Sequence, residues 1–250
     1  NLFKESLTQA VHGIVFEGIQ IAGDDDKLDD NIKNKWISYV YRVISVNENL
    51  LFMQSSIDKE FKENGIDYVI MKGSSAAATY RTPGMRSCGD IDILVKNCDY
   101  EKSCGILKNI GYVSEDIYGG HHIQFERNGI EVELHNRPGG LPDGKIGDDI
   151  SQYFENSIAD RCDEAIENHT FPAFSVHTQG CSLLLHIVQH LQNTGIGFRQ
   201  FCDYALSGRK LGHHVEQVHV ARKIIHAGLQ LVGQPVELNV VFEQPRRTEY

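Results

Sequence analysis

The chain has 250 residues and a formal net charge of −10, from 34 acidic and 24 basic side chains. Its 41% hydrophobic and 23% charged residues are close to the average of globular proteins, which excludes a fibrous or disordered chain. The acidic balance argues against double-stranded DNA as a partner, because DNA-binding proteins normally present a basic face. No run approaches the roughly 18 apolar residues of a membrane span, so we expect no membrane partner.

Cysteine usage points to a reducing compartment. The sequence has six cysteines and no CxxC pair, which argues against a zinc ribbon or a thioredoxin-like site. No signal peptide opens the sequence. We therefore expect free thiols and a cytoplasmic location.

Residues 1–64 predict an N-terminal helical segment. Apolar residues recur near helical spacing over 1–22 and again over 31–64, where Asn64-Gly65 is typical of a helix C-cap. Residues 24–30 carry five aspartates between the two helices. They lack the glycine and the terminal glutamate of an EF-hand, so we interpret them as a solvated loop, with a metal-binding loop as the alternative.

Residues 65–145 predict an α/β core, because the helical pattern gives way to short apolar runs typical of strands. Asn128-Gly129 is a strong signal for a two-residue hairpin turn. The predicted strands are 68–71, 90–95, 122–127 and 130–135, and a helix is predicted at 100–110.

Residues 146–250 predict a helical C-terminal region. It follows a loop rich in glycine and proline over 138–149, which is a plausible boundary. The predicted helices are 181–192, 198–206 and 215–232.

The first candidate site feature is Gly73-Ser74, which follows a predicted strand and leads into a helix-prone segment. Small residues let the backbone approach a ligand closely, and the N–H groups at a helix N-terminus favour phosphate. An ordinary turn is the alternative, because a Gly-Ser pair alone is not specific.

The second feature is a set of carboxylates on two strands. Asp90 and Asp92 project from the same strand face and repel one another unless a cation joins them. An exposed amphipathic strand is the alternative, which the apolar residues 93–95 disfavour. Glu131, Glu133 and His135 alternate on a second strand. Three carboxylates converging from two strands are a usual cradle for Mg²⁺, and two ions about 4 Å apart can activate a hydroxyl and stabilise leaving pyrophosphate.

The runs 71–75, 86–95 and 132–135 together resemble the nucleotidyltransferase superfamily, which has the DNA polymerase β-like fold. More narrowly, they resemble the bacterial group labelled "uncharacterised nucleotidyltransferase". The resemblance covers residues 65–206 and is not seen past Ser207. It implies an α+β fold, with a mixed β-sheet core flanked by N-terminal helices and a C-terminal helical region. The spacing from Ser75 to Asp90 is long for the superfamily.

The resemblance also implies roles for single residues. Gly73 and Ser74 would hold the triphosphate, and Mg²⁺ would bind to Asp90 and Asp92, as two ions with Mn²⁺ as a substitute. Glu133 would be the third carboxylate, which ligates metal and helps to deprotonate the acceptor, with Glu131 as the fallback.

Two basic residues, Lys72 and Arg86, are candidates to neutralise phosphate charge, with structural ion pairs as the alternative. The helical C-terminal half, which carries Arg199 and Asp203, is expected to form the far wall of the cleft. Arg199 is expected to pair internally with Asp203, four residues further along a helix, with a position facing the cleft as the alternative.

Four histidines are candidate substrate contacts. His186 and His190 have the i, i+4 spacing of zinc sites but lack the glutamate of an HExxH motif, so half-buried core or cleft-wall positions are favoured. His122 opens a predicted strand, in the pair 121–122, and His135 follows Glu133 by two residues.

The leading hypothesis is an enzyme that transfers a nucleoside monophosphate from a nucleoside triphosphate (NTP) to an acceptor hydroxyl with release of pyrophosphate. The acidic chain favours a small-molecule or protein acceptor over a long nucleic acid. Removing the charge of Asp92 is then expected to abolish transfer and to leave the fold intact or slightly more stable. The alternatives are a non-catalytic nucleotide-binding or protein-interaction module on the same fold, and a metal-dependent phosphohydrolase.

Overall fold

The computed structural model describes residues 2–114, 122–193 and 195–210. Helix α1 spans Leu2–Thr8, α2 spans His12–Ile21 and α3 spans Asp30–Glu63. The single helix predicted over residues 1–22 is therefore two helices. The chain between them passes through Ala10, whose φ of +53° is left-handed and incompatible with a continuing right-handed helix.

Local hydrogen bonds fix both ends of α3. The Asp29 carboxylate accepts from the backbone N–H groups of Asn31 and Ile32, and Gly65 follows the other end with a φ of +68°. Lys33 pairs with Asp25 and Asp26 at 2.9 and 3.2 Å, so the acidic segment finds a cation within the chain. This arrangement supports the interpretation as a loop between helices.

The described residues form a mixed seven-stranded sheet in the order β3-β4-β5-β2-β1-β7-β6. Strand β2 is parallel to β5 and β1 is parallel to β7, while the other neighbours are antiparallel. The strands are β1 Tyr68–Ile70, β2 Asp90–Val95, β3 Val113–Ser114, β4 His122–Arg127, β5 Ile130–His135, β6 Cys162–Ile166 and β7 His169–Ala173. The α+β class with a mixed sheet is confirmed.

Five further α-helices lie among the described residues. They are α4 Ser74–Ala77, α5 Tyr100–Asn109, α6 Lys145–Asn156, α7 Val176–Asn193 and α8 Phe198–Lys210. The helix predicted over 215–232 and the histidine at 121 lie outside the described residues. No described helix combines the length and the apolar character needed to cross a bilayer.

The prediction that residues 146–250 are helical is wrong for the hairpin of β6 and β7. Its turn passes through Glu167 at a φ of +51°, which gives no glycine signal in the sequence. Phe171 and Ala173 are buried, and Ala173 lies opposite Ile70 in the sheet. The hairpin forms because these apolar side chains complete the core at the β1 edge.

Two apolar clusters cover the two faces of the sheet. Ile57 and Leu107, from α3 and α5, pack with Ile93 on one face. Phe154 and Leu185, from α6 and α7, pack on the opposite face. Because side chains alternate along a strand, residues 90 and 92 lie on the face that α7 covers. The core therefore leaves a cleft between the sheet and α7.

Candidate active site

Three carboxylates converge on the sheet face beneath α7. The parallel register of β2 and β5 places Asp92 opposite Glu133 and Asp90 opposite Glu131. One carboxylate oxygen from each of Asp90, Asp92 and Glu133 lies within 4.8 Å of the others. Glu131 is exposed and lies outside this cluster. The strands thus assemble the three carboxylates that the sequence pattern indicates as metal ligands.

The charges within this cluster are unequal. Asp92 is 2% exposed, and its Oδ1 lies 2.7 Å from Lys72 Nζ and 3.3 Å from His135 Nε2. Burial acts to raise the pKa of Asp92, but the Lys72 charge and the His135 hydrogen bond outweigh it and hold that pKa well below its usual range. Burial and the Asp92 charge raise the pKa of Asp90 to about 6. The site therefore has more carboxylate than its neighbouring cations neutralise.

Gly73 and Ser74 have different surroundings. Gly73 has a φ of +55°, and a Cβ there would lie 3.2 Å from the Asp90 carbonyl oxygen, so the turn favours glycine. Gly73 lines the cleft. The Ser74 hydroxyl instead donates to Gln54 on α3 at 2.9 Å and is buried. The side chain of Ser74 thus belongs to the core, while the backbone of Gly73 faces the cleft.

Arg86 forms a buried ion pair. It is 4% exposed, and its Nε donates to Asp203 Oδ1 at 3.1 Å while its Nη2 contacts Oδ2 of the same carboxylate. The Tyr80 hydroxyl donates to Asp203 Oδ1 at 2.7 Å. Of the two alternatives for Arg86, the structure therefore favours the structural ion pair.

The expected pair between Arg199 and Asp203 is wrong. Both Asp203 oxygens accept from Arg86, which lies 117 residues away in the chain, and Arg199 Nη1 donates to the Ser87 carbonyl at 2.8 Å. The i, i+4 spacing favoured the local pair, but burial of Arg86 demands a carboxylate partner more strongly.

The cleft has two lobes in the described part of the chain. The larger lobe has a volume of about 330 Å³, and Glu133, His122 and His135 line it. The smaller lobe has a volume of about 200 Å³, and Gly73, Gly89, Arg199 and Gln200 are among its lining residues. Lys72, Asp90, His186 and His190 line both lobes.

All four candidate histidines reach the cleft. His135 Nε2 lies 3.2 Å from Glu133 Oε2, and the His122 ring lies 4.9 Å from the His135 ring. His190 Nε2 lies 3.1 Å from His186 Nε2, so one ring donates to the other. Burial, with the charge of Lys72, lowers the pKa of His186 to about 3. His186 is therefore a neutral ring at physiological pH.

Gln189 and Gln200 line the cleft but were not among the residues predicted to lie in the site, whereas Arg199 lines it as the alternative to internal pairing predicts. A signal for Gln189 exists in the sequence. Ser182, His186 and Gln189 recur at helical spacing on a helix that is otherwise apolar, and such a polar stripe indicates a face turned to a ligand or to solvent. Arg199 gave a comparable signal as a charged residue on a helix, but a plausible partner four residues away favoured internal pairing over the cleft.

A mixed sheet with an Asp-x-Asp strand beside a third carboxylate, under a helical cover, defines a protein with the nucleotidyltransferase fold. The chain belongs to the uncharacterised nucleotidyltransferase family, whose model matches residues 2–232. This match confirms the resemblance seen in the sequence. It also extends beyond residues 65–206 at both ends, so the expectation that the likeness stops at residue 207 is wrong.

Several solved structures are similar to this chain, and the first of them shows the same fold. The antibiotic-resistance factor ANT(2'')-Ia is 13% identical with a TM-score of 0.51, over 75% of this chain and 96% of that chain. A nucleotidyltransferase-like protein from Paracoccidioides brasiliensis is 13% identical with a TM-score of 0.49, over 73% and 88% of the two chains. The lincosamide antibiotic adenylyltransferase LnuA is 16% identical with a TM-score of 0.43, over 64% and 96%. No curated protein matches the chain significantly.

Proposed function

We propose that this chain transfers a nucleoside monophosphate from a nucleoside triphosphate to a hydroxyl of a small-molecule or protein acceptor, with release of pyrophosphate. The observation that carries the proposal is the convergence of Asp90, Asp92 and Glu133 on one sheet face within a cleft. Membership of a nucleotidyltransferase family supports it.

The donor atoms of this cluster fit a hard divalent cation. Mg²⁺ prefers oxygen ligands and is usually held by one or two carboxylates together with substrate phosphates. Asp90, Asp92 and Glu133 would hold Mg²⁺, as two ions, with Mn²⁺ as a substitute. Bound there, the metal would supply positive charge to the transferred phosphate and to the leaving pyrophosphate.

Residues in the larger lobe would bind and activate the acceptor, and residues in the smaller lobe would bind the triphosphate. Glu133 lines the larger lobe, where it would accept the proton of the acceptor hydroxyl as the acceptor oxygen bonds to the α-phosphorus. The bond from the α-phosphorus to the bridging oxygen breaks, and pyrophosphate leaves. Gly73 lines the smaller lobe, where its backbone would lie against the triphosphate. Lys72 lines both lobes and would neutralise phosphate charge between them.

The size and charge of the site favour a small acceptor. The larger lobe, at about 330 Å³, has the volume of a small-molecule pocket. The net charge of −10 disfavours a long nucleic acid. All six cysteines are free, which supports a cytoplasmic location for the reaction.

The proposal is tested by measuring pyrophosphate release from each nucleoside triphosphate with Mg²⁺, in wild type and Asp92→Asn, with a panel of hydroxyl-bearing small molecules. We expect release in wild type and a loss of about 10³-fold or more in the variant, because a group that stabilises transition-state charge is lost. Asp67→Asn, which removes a partly exposed carboxylate that does not line the cleft, is the matched control and should keep wild-type activity.

The same experiment separates the two alternative functions. Thermal stabilisation by NTP with Mg²⁺ but no pyrophosphate release would favour a non-catalytic nucleotide-binding module. The contact between the Lys72 ammonium and Asp92 would suit such a module, because it occupies a carboxylate that a metal would need. Release of inorganic phosphate rather than pyrophosphate would favour a phosphohydrolase, with His122 and His135 beside Glu133 as added metal ligands. Either result would contradict transfer.

A further inference from the structure

The cations of the smaller lobe are not equivalent. Lys72 pairs with Asp92, and Arg86 pairs with Asp203. Arg199 also lines the lobe, but within the described residues it has no carboxylate at ion-pair distance. Among the described residues, Arg199 therefore has no carboxylate in direct contact, and Asp203 and Asp90 act on its charge only from a distance.

The surroundings of Arg199 make this charge costly. Its side chain is half-buried, Nη1 donates to the Ser87 carbonyl at 2.8 Å, and Nε is buried without a hydrogen-bond partner. Burial lowers the pKa of Arg199, and repulsion from the Arg86 guanidinium lowers it further. A guanidinium in this position gains free energy from an anion that supplies both charge and hydrogen-bond acceptors.

The anchoring of α8 explains why Arg199 stays in this position. Asp203 lies four residues after Arg199, on the same side of α8. Its carboxylate is held by Arg86 and by the Tyr80 hydroxyl, so this part of α8 is fixed to the core beside the cleft. We call these three residues, Tyr80, Arg86 and Asp203, the α8 clamp. The clamp holds the turn of α8 that carries Arg199 against the lobe lined by Gly73.

We propose that Arg199 binds the polyphosphate of the nucleotide donor in the smaller lobe, and that Arg86 acts only indirectly, through Asp203, as a positioning residue. Arg199 can present its planar fork to two phosphate oxygens. The Arg86 fork is already occupied, because its Nε and Nη2 donate to Asp203 and its Nη1 donates to the Ser87 carbonyl and the Cys88 sulfur. The identity of the donor rests on the proposed function, but the anion site itself does not.

Inorganic tripolyphosphate with Mg²⁺ is the probe that tests the site without the nucleoside. We expect calorimetry to show binding to wild type and a rise in Kd of at least about tenfold in Arg199→Gln. Arg161→Gln is the matched control, because Arg161 pairs with Asp67 on the surface and should leave Kd unchanged. Arg199→Lys, which keeps the charge but loses the fork, should fall between the two.

A series of nucleotides locates the contact. In wild type, affinity should rise from monophosphate to triphosphate, and in Arg199→Gln this rise should be reduced while monophosphate affinity is retained. Equal losses for all three nucleotides would place Arg199 at the nucleoside or at the α-phosphate that all three share, and would overturn the proposal. Unchanged tripolyphosphate binding in Arg199→Gln would also overturn it. The proposal would likewise fail if wild type did not bind tripolyphosphate and the Kd for NTP were the same in wild type and Arg199→Gln.

Two further readouts keep the outcomes distinguishable. The melting temperature of Arg199→Gln should not fall, because the variant removes a half-buried charge that has no carboxylate in direct contact, whereas a structural role would lower it. If tripolyphosphate binding depends on Arg199 but no nucleotidyl transfer occurs, the proposed function fails and the anion site stands.

Discussion

Two buried ion pairs border the smaller lobe, and they differ in how completely they are neutralised. The Arg86–Asp203 pair joins one guanidinium to one carboxylate, and Tyr80 supplies a further hydrogen bond. The Lys72–Asp92 pair lies beside two more carboxylates, Asp90 and Glu133. The charges of the Arg86–Asp203 pair balance, so we call this pair saturated, and it suits a structural role. The cluster around the Lys72–Asp92 pair has unpaired negative charge, which suits replacement of Lys72 by a bound cation.

Breaking the saturated pair should produce the largest effect on stability. Asp203→Ala leaves Arg86 buried without its carboxylate, which we expect to lower the free energy of unfolding by about 3–5 kcal/mol. Urea denaturation measures this loss. Asp67→Ala is the control, because its pairs with Lys96 and Arg161 are partly exposed and should contribute less than about 1 kcal/mol.

The double variant Arg86→Met/Asp203→Leu sharpens this test. Replacing both partners by apolar side chains removes the stranded charge, so it should recover most of the loss of Asp203→Ala. An Asp203→Ala variant as stable as the Asp67→Ala control would show that the clamp does not anchor α8.

At the acidic cluster around Asp92, in contrast, removing the Asp90 carboxylate should stabilise the fold, and the effect should depend on pH. The pKa of Asp90 is raised from 3.8 to about 6, so the native carboxyl holds its proton while the unfolded one has lost it. The free energy of unfolding of the metal-free protein therefore falls as the pH rises between these values, and the penalty is complete above pH 6. It amounts to at most about 3 kcal/mol.

Asp90→Asn removes that penalty, so the variant should be more stable than wild type at pH 8 and no more stable at pH 4. Melting temperatures across this range, without metal, measure the difference, and the exposed Asp160→Asn is the control. A gain that is the same at both pH values would contradict the assignment.

Asp92→Asn should instead destabilise the fold, because Asp92 is the partner of Lys72. The sequence pattern suggested the reverse, since it shows the repulsion but not the ammonium.

Lys72 should set the metal affinity of the nucleotide-free protein, with a smaller effect. Lys72→Met removes a charge 2.7 Å from Asp92 that competes with a divalent ion. We expect Mn²⁺ to bind about tenfold more tightly, which corresponds to about 1.4 kcal/mol, while NTP-dependent pyrophosphate release falls. Mn²⁺ titration followed by electron paramagnetic resonance measures this affinity, and Lys96→Met is the surface control. Weaker metal binding in Lys72→Met would contradict the competition.

The sequence predicts the carboxylate strands well because their signals are local. Alternation along 90–95 marks a strand, and the turn at Asn128-Gly129 forms the hairpin of β4 and β5. The likeness to a nucleotidyltransferase motif then brought the two strands together, and the structure places Asp92 beside Glu133. Gly73 was predicted at the cleft for the same reason, since a turn after a strand is visible in sequence.

Features that depend on distant partners could not be predicted in this way. The hairpin of β6 and β7 contains Pro172 and charged residues, and only packing against β1 makes it a pair of strands. Arg86 pairs with Asp203, which lies 117 residues away in the sequence. No local pattern shows that Asp203 binds Arg86 rather than Arg199. Ser74 was predicted in the site from its place in the motif, but its hydroxyl reaches Gln54 instead.

The α8 clamp also has a consequence for the order in which a nascent chain acquires its parts. The ribosome completes the strands over 68–135 before it adds α8, Phe198–Lys210, so the residues of the acidic face are all synthesised while one wall of the cleft is still missing. Contacts between residues that are far apart in sequence form late, because a long loop must first close. During synthesis we therefore expect Asp90, Asp92 and Glu133 to come together ahead of Arg199, so that the proposed anion site is the last part of the cleft to form.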